Sequence, residues 1–186
     1  SIGLVYCGRI LHTITQNNET NRLLYPDRRN KRNIKRRILY TMPCVSSTIM
    51  VRRKILFDIG LFDESLLFWQ DYELMIRLCQ ITEIDFINEC LTIYQKSLID
   101  KNRLTNQYEK WIITVEQILE KHKSLYSQLI FYERYMQRSL FYSDAKNRSL
   151  IVGNMTEYYR NIAKMYYYKI ITFPYRCYKR IFITNV

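Results

Sequence analysis

The spacing of apolar residues changes near residue 100 of this 186-residue chain. Before that point, short runs rich in β-branched residues, such as Ile2 to Tyr6 and Cys44 to Val51, predict strands between polar segments. From Arg103 onward, apolar residues recur every three or four positions, which is the period of an amphipathic helix. The sequence therefore predicts an α/β region over residues 1–100, followed by an all-α helical region over residues 101–186.

The helical region carries three apolar stripes. Polar turns at His122 to Ser124 and near Gly153 separate them, as in stacked helical hairpins. The stripes are Trp111, Val115, Ile118 and Leu119; then Leu125, Leu129, Tyr132 and Met136; then Tyr158, Ile162, Met165 and Tyr166.

The first half is less regular. Residues Asn17 to Arg37 are polar without a clear period and predict a loop, which contains a run of seven basic residues between Arg28 and Arg37. The segment Arg52 to Gly60 predicts a short helix with Gly60 as its left-handed cap. Ile84 to Tyr94 predicts two strands joined by a turn at Asn88 and Glu89.

Composition narrows the class of partner. The formal net charge is +12, which favours nucleic acid, phospholipid or a phosphorylated substrate. The five cysteines form no C-x-x-C pair and have no histidine at ligand spacing, so a reducing, cytosolic setting is expected. No apolar run reaches the roughly 18 residues of a membrane span.

Asp71 is the main candidate for chemistry. It follows the apolar run Leu66 to Trp69 and lies three and four residues before Leu74 and Met75, so it shares their face of a predicted helix. The free N–H groups of a helix start favour an ionised carboxylate that can accept a proton. The simpler alternative is that Asp71 is an N-cap. Glu73 and Arg77, four residues apart, are expected to form a surface ion pair.

The segment CVSSTIMVRRKILFDIGLFDESLLFWQDYELMIRL, followed by IDFINECLTIY, resembles the acceptor half of a family 2 glycosyltransferase of the GT-A type. In that family a small-residue strand leads into R-R-x-x-F-x-x-I-G-x-F-D-E, then into an acidic-Asp pair that opens a helix, then into strands ending in Tyr-Arg. Here the pair reads Gln70–Asp71 and the ending reads Tyr94–Gln95.

The resemblance implies a partial GT-A, Rossmann-like sheet with helices, and an inverting transfer of a sugar from a nucleotide-sugar to a hydroxyl acceptor in surface polysaccharide assembly. Asp71 would be the general base. The acceptor would be bound by Trp69 and Gln70, with Asp63 and Glu64 lining the pocket.

Other parts of that family have no counterpart in the sequence, namely the donor-binding strands and the D-x-D motif. A divalent metal, Mn or Mg, is expected for the intact enzyme, with ligands outside this chain. The chain opens on a strand and is interpreted as a fragment that is inactive by itself and binds no nucleotide-sugar.

Two alternatives stay open. One is a nucleic-acid-binding module built from the basic run and the tyrosines, against which no RNP, zinc-finger or helix-turn-helix pattern is visible. The other is a helical scaffold in residues 103–186. The resemblance favours a glycan or lipid-linked acceptor and no nucleic acid.

The end of the chain predicts a peripheral contact with the inner face of the cell membrane. After Glu157 there are no acids, and basic residues alternate with aromatic ones. The alternative is that these tyrosines pack on the preceding helices. Pro174 is expected to divide the segment into two short helices.

Overall fold

The computed structural model describes residues 2–97, 99 and 107–182. The expected boundary at residues 100 and 101 lies outside these described residues. The chain has a mixed α/β fold, and its strands all lie before residue 98 while its long helices lie after residue 107.

One mixed sheet is built around a long first strand, β1 (Ile2–Ile14). The strand β4 (Glu83–Ser97) runs parallel to it along its whole length. On the other edge, β3 (Ile49–Val51) pairs antiparallel with the first half of β1, and β2 (Glu19–Leu24) pairs antiparallel with its second half. Strands β2 and β3 therefore lie on the same side of β1, one after the other along its length.

The strand predictions were partly correct. The strand expected at Ile2 to Tyr6 exists but continues to Ile14. In the segment expected to be a strand from Cys44 to Val51, only β3 is extended, and a single 3-10 turn (Ser46–Thr48) precedes it.

The strand, turn and strand expected over Ile84 to Tyr94 is wrong. β4 is continuous, and Asn88 and Glu89 are accommodated by a bulge between the Cys7–Ile87 and Gly8–Cys90 pairings.

The loop expected over Asn17 to Arg37 is also wrong. This segment contains β2 and the kinked helix α1 (Asn30–Arg37). Two acids that are distant in sequence hold the basic run: Lys31 bonds to Asp85 at 3.1 Å and Arg36 to Glu133 at 2.7 Å. Arg37 bonds to Asp27, directly before the run, at 2.9 Å. Long-range ion pairs of this kind leave no periodic signal in the sequence.

Helix α2 (Arg53–Asp58) ends as expected, with Gly60 at φ +86°. Helix α3 (Gln70–Ile81) follows it, and its side chains Leu74, Met75 and Leu78 are buried against the sheet. This confirms the apolar stripe that was predicted for the helix.

The expected all-α region consists of α4 (Tyr108–Lys121), α5 (Lys123–Ser127), α6 (Phe131–Ile151) and α7 (Met155–Phe182). Ile118, Tyr126 and Leu129 belong to the same buried cluster as Leu4 and Ile76, so the helices complete the core of the sheet region. Pro174 does not divide the last segment, because α7 continues through it.

Candidate functional site: a groove beside the start of α3

The residues predicted for the site line one open groove of about 970 Å³. Asp63, Glu64, Trp69, Gln70 and Asp71 all contribute to its wall. The structure thus brings the five residues together at one side of the groove, and their roles stay predictions.

Asp71 lies in the first turn of α3 and is half-buried rather than sealed in the core. Its Oδ2 accepts a hydrogen bond from the backbone N–H of Ser46 at 3.1 Å, and its Oδ1 accepts one from the backbone N–H of Tyr72 at 2.9 Å. It is not the N-cap, which is Trp69. Because a carboxylate has about four acceptor positions, two remain for a ligand.

Trp69 has an unusual backbone. Its φ is +53°, in the left-handed region that large side chains rarely adopt. Its ring contacts Trp111 and Tyr72 edge-on, with centroids at 5.4 and 5.3 Å, and Phe141 at 5.6 Å. Aromatic packing therefore holds a strained residue at the groove, next to Asp71, as is common at functional sites.

The two acids before α3 differ in their surroundings. Asp63 bonds to Lys121 and accepts hydrogen bonds from Ser65, and these interactions lower the pKa of its carboxyl to about 2. Glu64 is exposed. Gln70 donates to the carbonyl of Leu66 at 2.8 Å. Asp63 thus has a structural partner that the sequence did not reveal.

Lys121 also reaches a buried acid, Glu73, whose side chain is 0% exposed. The expected Glu73–Arg77 pair is present at 2.8 Å, but its description as a surface pair is wrong. Glu73 contacts Lys121 Nζ at 2.9 Å and His122 Nε2 at 3.0 Å. Burial acts to raise the pKa of Glu73, yet hydrogen bonds from His122, Arg77 and Lys121 outweigh it and bring that pKa to about 2.

The remaining groove residues were missed. Some come from residues 42–46 and 62–68, and the others from β1, β4 and α6, among them Arg9, Lys96, Asp144, Asn147 and Arg148. Arg9 and Leu11 alternate along β1, as Tyr94 and Lys96 do along β4, so the strand period could have placed each pair on one face. Nothing in the sequence indicates that α6 lies across the groove from them.

The side chains that could bind a metal ion are those of His, Cys, Asp and Glu. Within residues 2–97, 99 and 107–182, no three His, Cys, Asp or Glu side chains are grouped so that they could hold a metal ion. The divalent metal expected for the intact enzyme, with ligands outside this chain, stays a prediction.

The length and hydropathy of the helices bear on whether the chain could cross a membrane. None of the helices in the described part of the chain combines the length and hydropathy that crossing a bilayer requires.

Comparison of the chain with protein-family models, with curated proteins and with solved structures found no match.

Proposed function

We propose that the groove is the acceptor site of a glycosyltransferase and that Asp71 is its general base. The observation that carries the proposal is the position of Asp71: a carboxylate fixed by two backbone N–H groups, half-exposed, in the wall of a groove large enough for a sugar. Such fixed orientation is what proton removal in a transition state requires.

In the proposed step, an Oδ atom of Asp71 takes the proton of an acceptor hydroxyl. The hydroxyl oxygen then forms a bond to the anomeric carbon of a nucleotide-sugar, and the bond from that carbon to the phosphate oxygen breaks. The nucleotide leaves with the electron pair. The donor-binding half, with Mn or Mg, belongs to a longer chain under this proposal.

Trp69 provides the stacking surface for the acceptor. An indole face packs well against the apolar C–H face of a sugar ring, and Trp69 reaches the groove from an aromatic cluster that limits its movement. Gln70 and Glu64 supply polar groups at the same wall, while Asp63 keeps Lys121 in place.

The general-base role is tested by Asp71→Asn in a chain that also carries a donor-binding half. Sugar transfer should fall by roughly 10²–10⁴-fold, because that is what a positioned base contributes. Asp58→Asn is the matched control, since Asp58 is exposed at the end of α2 and does not line the groove. Transfer that survives in Asp71→Asn would rule out the proposed base.

Acceptor binding can be followed separately in the present chain. The chain has only two tryptophans, and Trp69 lines the groove in contact with Trp111. Tryptophan emission therefore reports occupation of the groove. Oligosaccharides should change this emission in the wild-type chain and in Asp71→Asn alike.

The same proposal includes a cytoplasmic location and a peripheral membrane contact through α7. Met155, Tyr159, Tyr166, Ile170 and Phe173 are exposed and are spaced by four, seven, four and three residues, so they form one apolar stripe. Arg160, Lys164 and Lys169 lie on the same helix. Lys169 lies beside this stripe, over the ring of Tyr166, whereas Arg160 pairs with Glu157 and Lys164 lies over the Tyr142 ring of α6. An apolar stripe with a cation beside it suits an anionic lipid surface that presents a lipid-linked acceptor.

The nucleic-acid alternative receives little support from the basic run. Four of its seven cations bond to acids of the chain: Arg29 and Arg37 to Asp27, Lys31 to Asp85, and Arg36 to Glu133. The side chain of Arg32 lies outside the described part. These three acids offset three of the seven positive charges, so the fold leaves fewer of them for phosphates.

A further inference from the structure

Three cations from three different elements meet at the groove: Arg9 of β1, Lys96 of β4 and Arg148 of α6. The parallel pairing of β1 with β4 places Leu11 beside Tyr94 and Thr13 beside Lys96. Arg9 and Leu11 share a sheet face by the two-residue period, as do Tyr94 and Lys96, and all four line the groove. Arg148 approaches from the helical side.

These cations have unused hydrogen-bonding groups. Arg148 is only 6% exposed; its Nε donates to Asp144 at 2.8 Å, but its Nη1 is buried without an acceptor among the described residues. The Nε of Arg9 is likewise buried and has no acceptor there. Lys96 forms no ion pair within the described part of the chain. A buried N–H that lacks an acceptor is unfavourable, and native structures rarely leave one so.

The surroundings of Arg148 hold its guanidinium in place. It lies over the rings of Phe68 and Trp111, at 5.7 and 5.4 Å from their centroids. A guanidinium stacked in this way keeps its planar N–H edge free to bond an oxyanion. Asp144 uses one N–H of that group and leaves the others.

Asp144 of the groove pairs with Arg148, whereas no acid of the described residues pairs with Arg9 or Lys96. Asp63 is paired with Lys121 and Asp144 with Arg148, which leaves Glu64 and Asp71 on the side of the groove formed by α3 and the segment before it. Arg9 and Asp71 act in opposite directions on the pKa of the Cys44 thiol, which burial raises to about 12, so both lie within electrostatic reach of the same sulfur.

We infer that the groove contains an anion subsite formed by Arg148, Arg9 and Lys96, and that its ligand is an acceptor carrying a carboxylate or phosphate group. The acceptor role rests on the proposed function, but binding of the anion does not. An acidic sugar held by these cations would place a neighbouring hydroxyl against Asp71. A neutral sugar would leave the buried N–H groups without acceptors.

The test is a titration of the present chain with sodium glucuronate, with inorganic phosphate and with glucose, followed by tryptophan emission. Trp111 lies under Arg148, so occupation of the subsite should alter its emission. Glucuronate or phosphate should bind, and glucose at the same concentration should bind at least about tenfold more weakly. Stronger binding of glucuronate indicates an acidic sugar, and stronger binding of phosphate indicates a phosphorylated acceptor.

Variants locate the binding. Lys96→Gln and Arg9→Gln should each weaken the anion about tenfold, while Lys146→Gln, on α6 but not lining the groove, should leave affinity unchanged. Arg148→Gln is a further variant, with a thermal unfolding curve to confirm that it folds. Equal weakening in Lys146→Gln, or no response to either anion at tens of millimolar, would overturn the inference.

The two proposals fail separately. Asp71→Asn should keep anion binding in this titration. If sugar transfer proves independent of Asp71 while glucuronate still binds through Lys96 and Arg9, the general base is lost and the anion subsite remains.

Discussion

At the residue scale, Trp69 combines two features that oppose each other. Its left-handed backbone costs roughly 1–2 kcal/mol in a residue with a side chain. Its ring recovers this through contacts with Trp111, Tyr72 and Phe141. The turn before it is held similarly, since Arg77 donates to the carbonyls of Ile59 and Leu61, and Leu61 also has a positive φ of 61°. Two strained residues therefore shape the entry to α3.

This strain predicts an inverted order of stability at position 69. Trp69→Ala and Trp69→Gly both remove the ring, but glycine adopts positive φ without penalty, so Trp69→Gly should be about 1 kcal/mol more stable than Trp69→Ala. Urea unfolding of both variants measures the difference.

The control for that comparison is Ile113, which is half exposed in the regular helix α4. There the usual order holds, and Ile113→Gly should be about 1 kcal/mol less stable than Ile113→Ala. The same order at both positions would show that Trp69 is not strained in solution.

Some features of individual residues could be predicted from the sequence, and others could not. The position of Asp71 in the first turn of α3 was predictable, because capping preference and the apolar stripe are local signals. The positive φ of Trp69 was not, since it depends on packing against Trp111 of α4 and Phe141 of α6, which are distant in sequence. Arg148 was not predicted for the same reason.

At the element scale, the errors come from long-range pairing. Asn88 and Glu89 have turn character, yet β4 remains one strand because β1 supplies a continuous partner and Gly8 makes room at the bulge. A Cβ on Gly8 would lie 2.8 Å from the carbonyl oxygen of Leu24 and 2.9 Å from that of Glu89. The helical stripes were predicted in part, because a helix carries its own period, whereas a strand depends on its neighbour. Trp111, Val115 and Ile118 are buried as expected, but Tyr166 of the third stripe is 55% exposed.

The buried cluster around Glu73 joins α3 to the start of the helical region, through Arg77 on one side and Lys121 and His122 on the other. Removing its charge leaves Arg77 without its carboxylate partner, while Lys121 keeps only Asp63. Glu73→Gln should therefore lower the free energy of unfolding by about 3–5 kcal/mol, as for other broken buried pairs. Glu120→Gln, which removes an exposed pair with Lys123, should cost less than about 1 kcal/mol. Urea midpoints that shift equally would contradict a structural role for the cluster.

The same cluster sets the acid limit of stability. The folded-state pKa values of Glu73 and Asp63 are both lowered to about 2, below their unfolded values of 4.5 and 3.8. Their contribution is therefore complete above about pH 4.5 and is lost as the pH falls toward 2.

Thermal unfolding between pH 6 and pH 2 measures this effect. The wild-type melting temperature should fall most between pH 4.5 and pH 2, and Glu73→Gln should show a shallower fall over that interval. A parallel loss in both proteins would assign the acid sensitivity to other groups.

At the scale of the whole molecule, the helical region does two things at once. Its inner side supplies Ile118, Tyr126 and Leu129 to the main core, and tyrosines between α6 and α7 pack in pairs such as Tyr132 with Tyr175 and Tyr142 with Tyr168. Its outer side leaves Tyr159, Tyr166 and Tyr167 exposed. The packing of tyrosines on the preceding helices is confirmed for the inner face of α7, and the membrane contact stays a prediction for its outer face.

The outer face leads to a prediction for membrane binding. Ile170 and Phe173 are 69% and 64% exposed, and no acid follows Glu157 on α7. Insertion of these side chains at the lipid boundary, with cations that each contribute about 1 kcal/mol near an anionic leaflet, should hold the chain on vesicles containing phosphatidylserine. The double variant Ile170→Gln, Phe173→Gln should bind the vesicles at least about tenfold more weakly than the wild-type chain. Added salt should weaken vesicle binding by the wild-type chain.

The matched control is Met50→Gln, Ile93→Gln, which removes two equally exposed apolar side chains from the sheet, at 77% and 72% exposure. Sedimentation with phosphatidylserine vesicles, and with neutral phosphatidylcholine vesicles, separates the cases. Because α7 places its stripe on one side along its length, only the α7 variant should lose binding, and only to the anionic vesicles. Equal loss in both variants would indicate general adhesion, and undiminished binding by the α7 variant would remove this helix from the membrane contact.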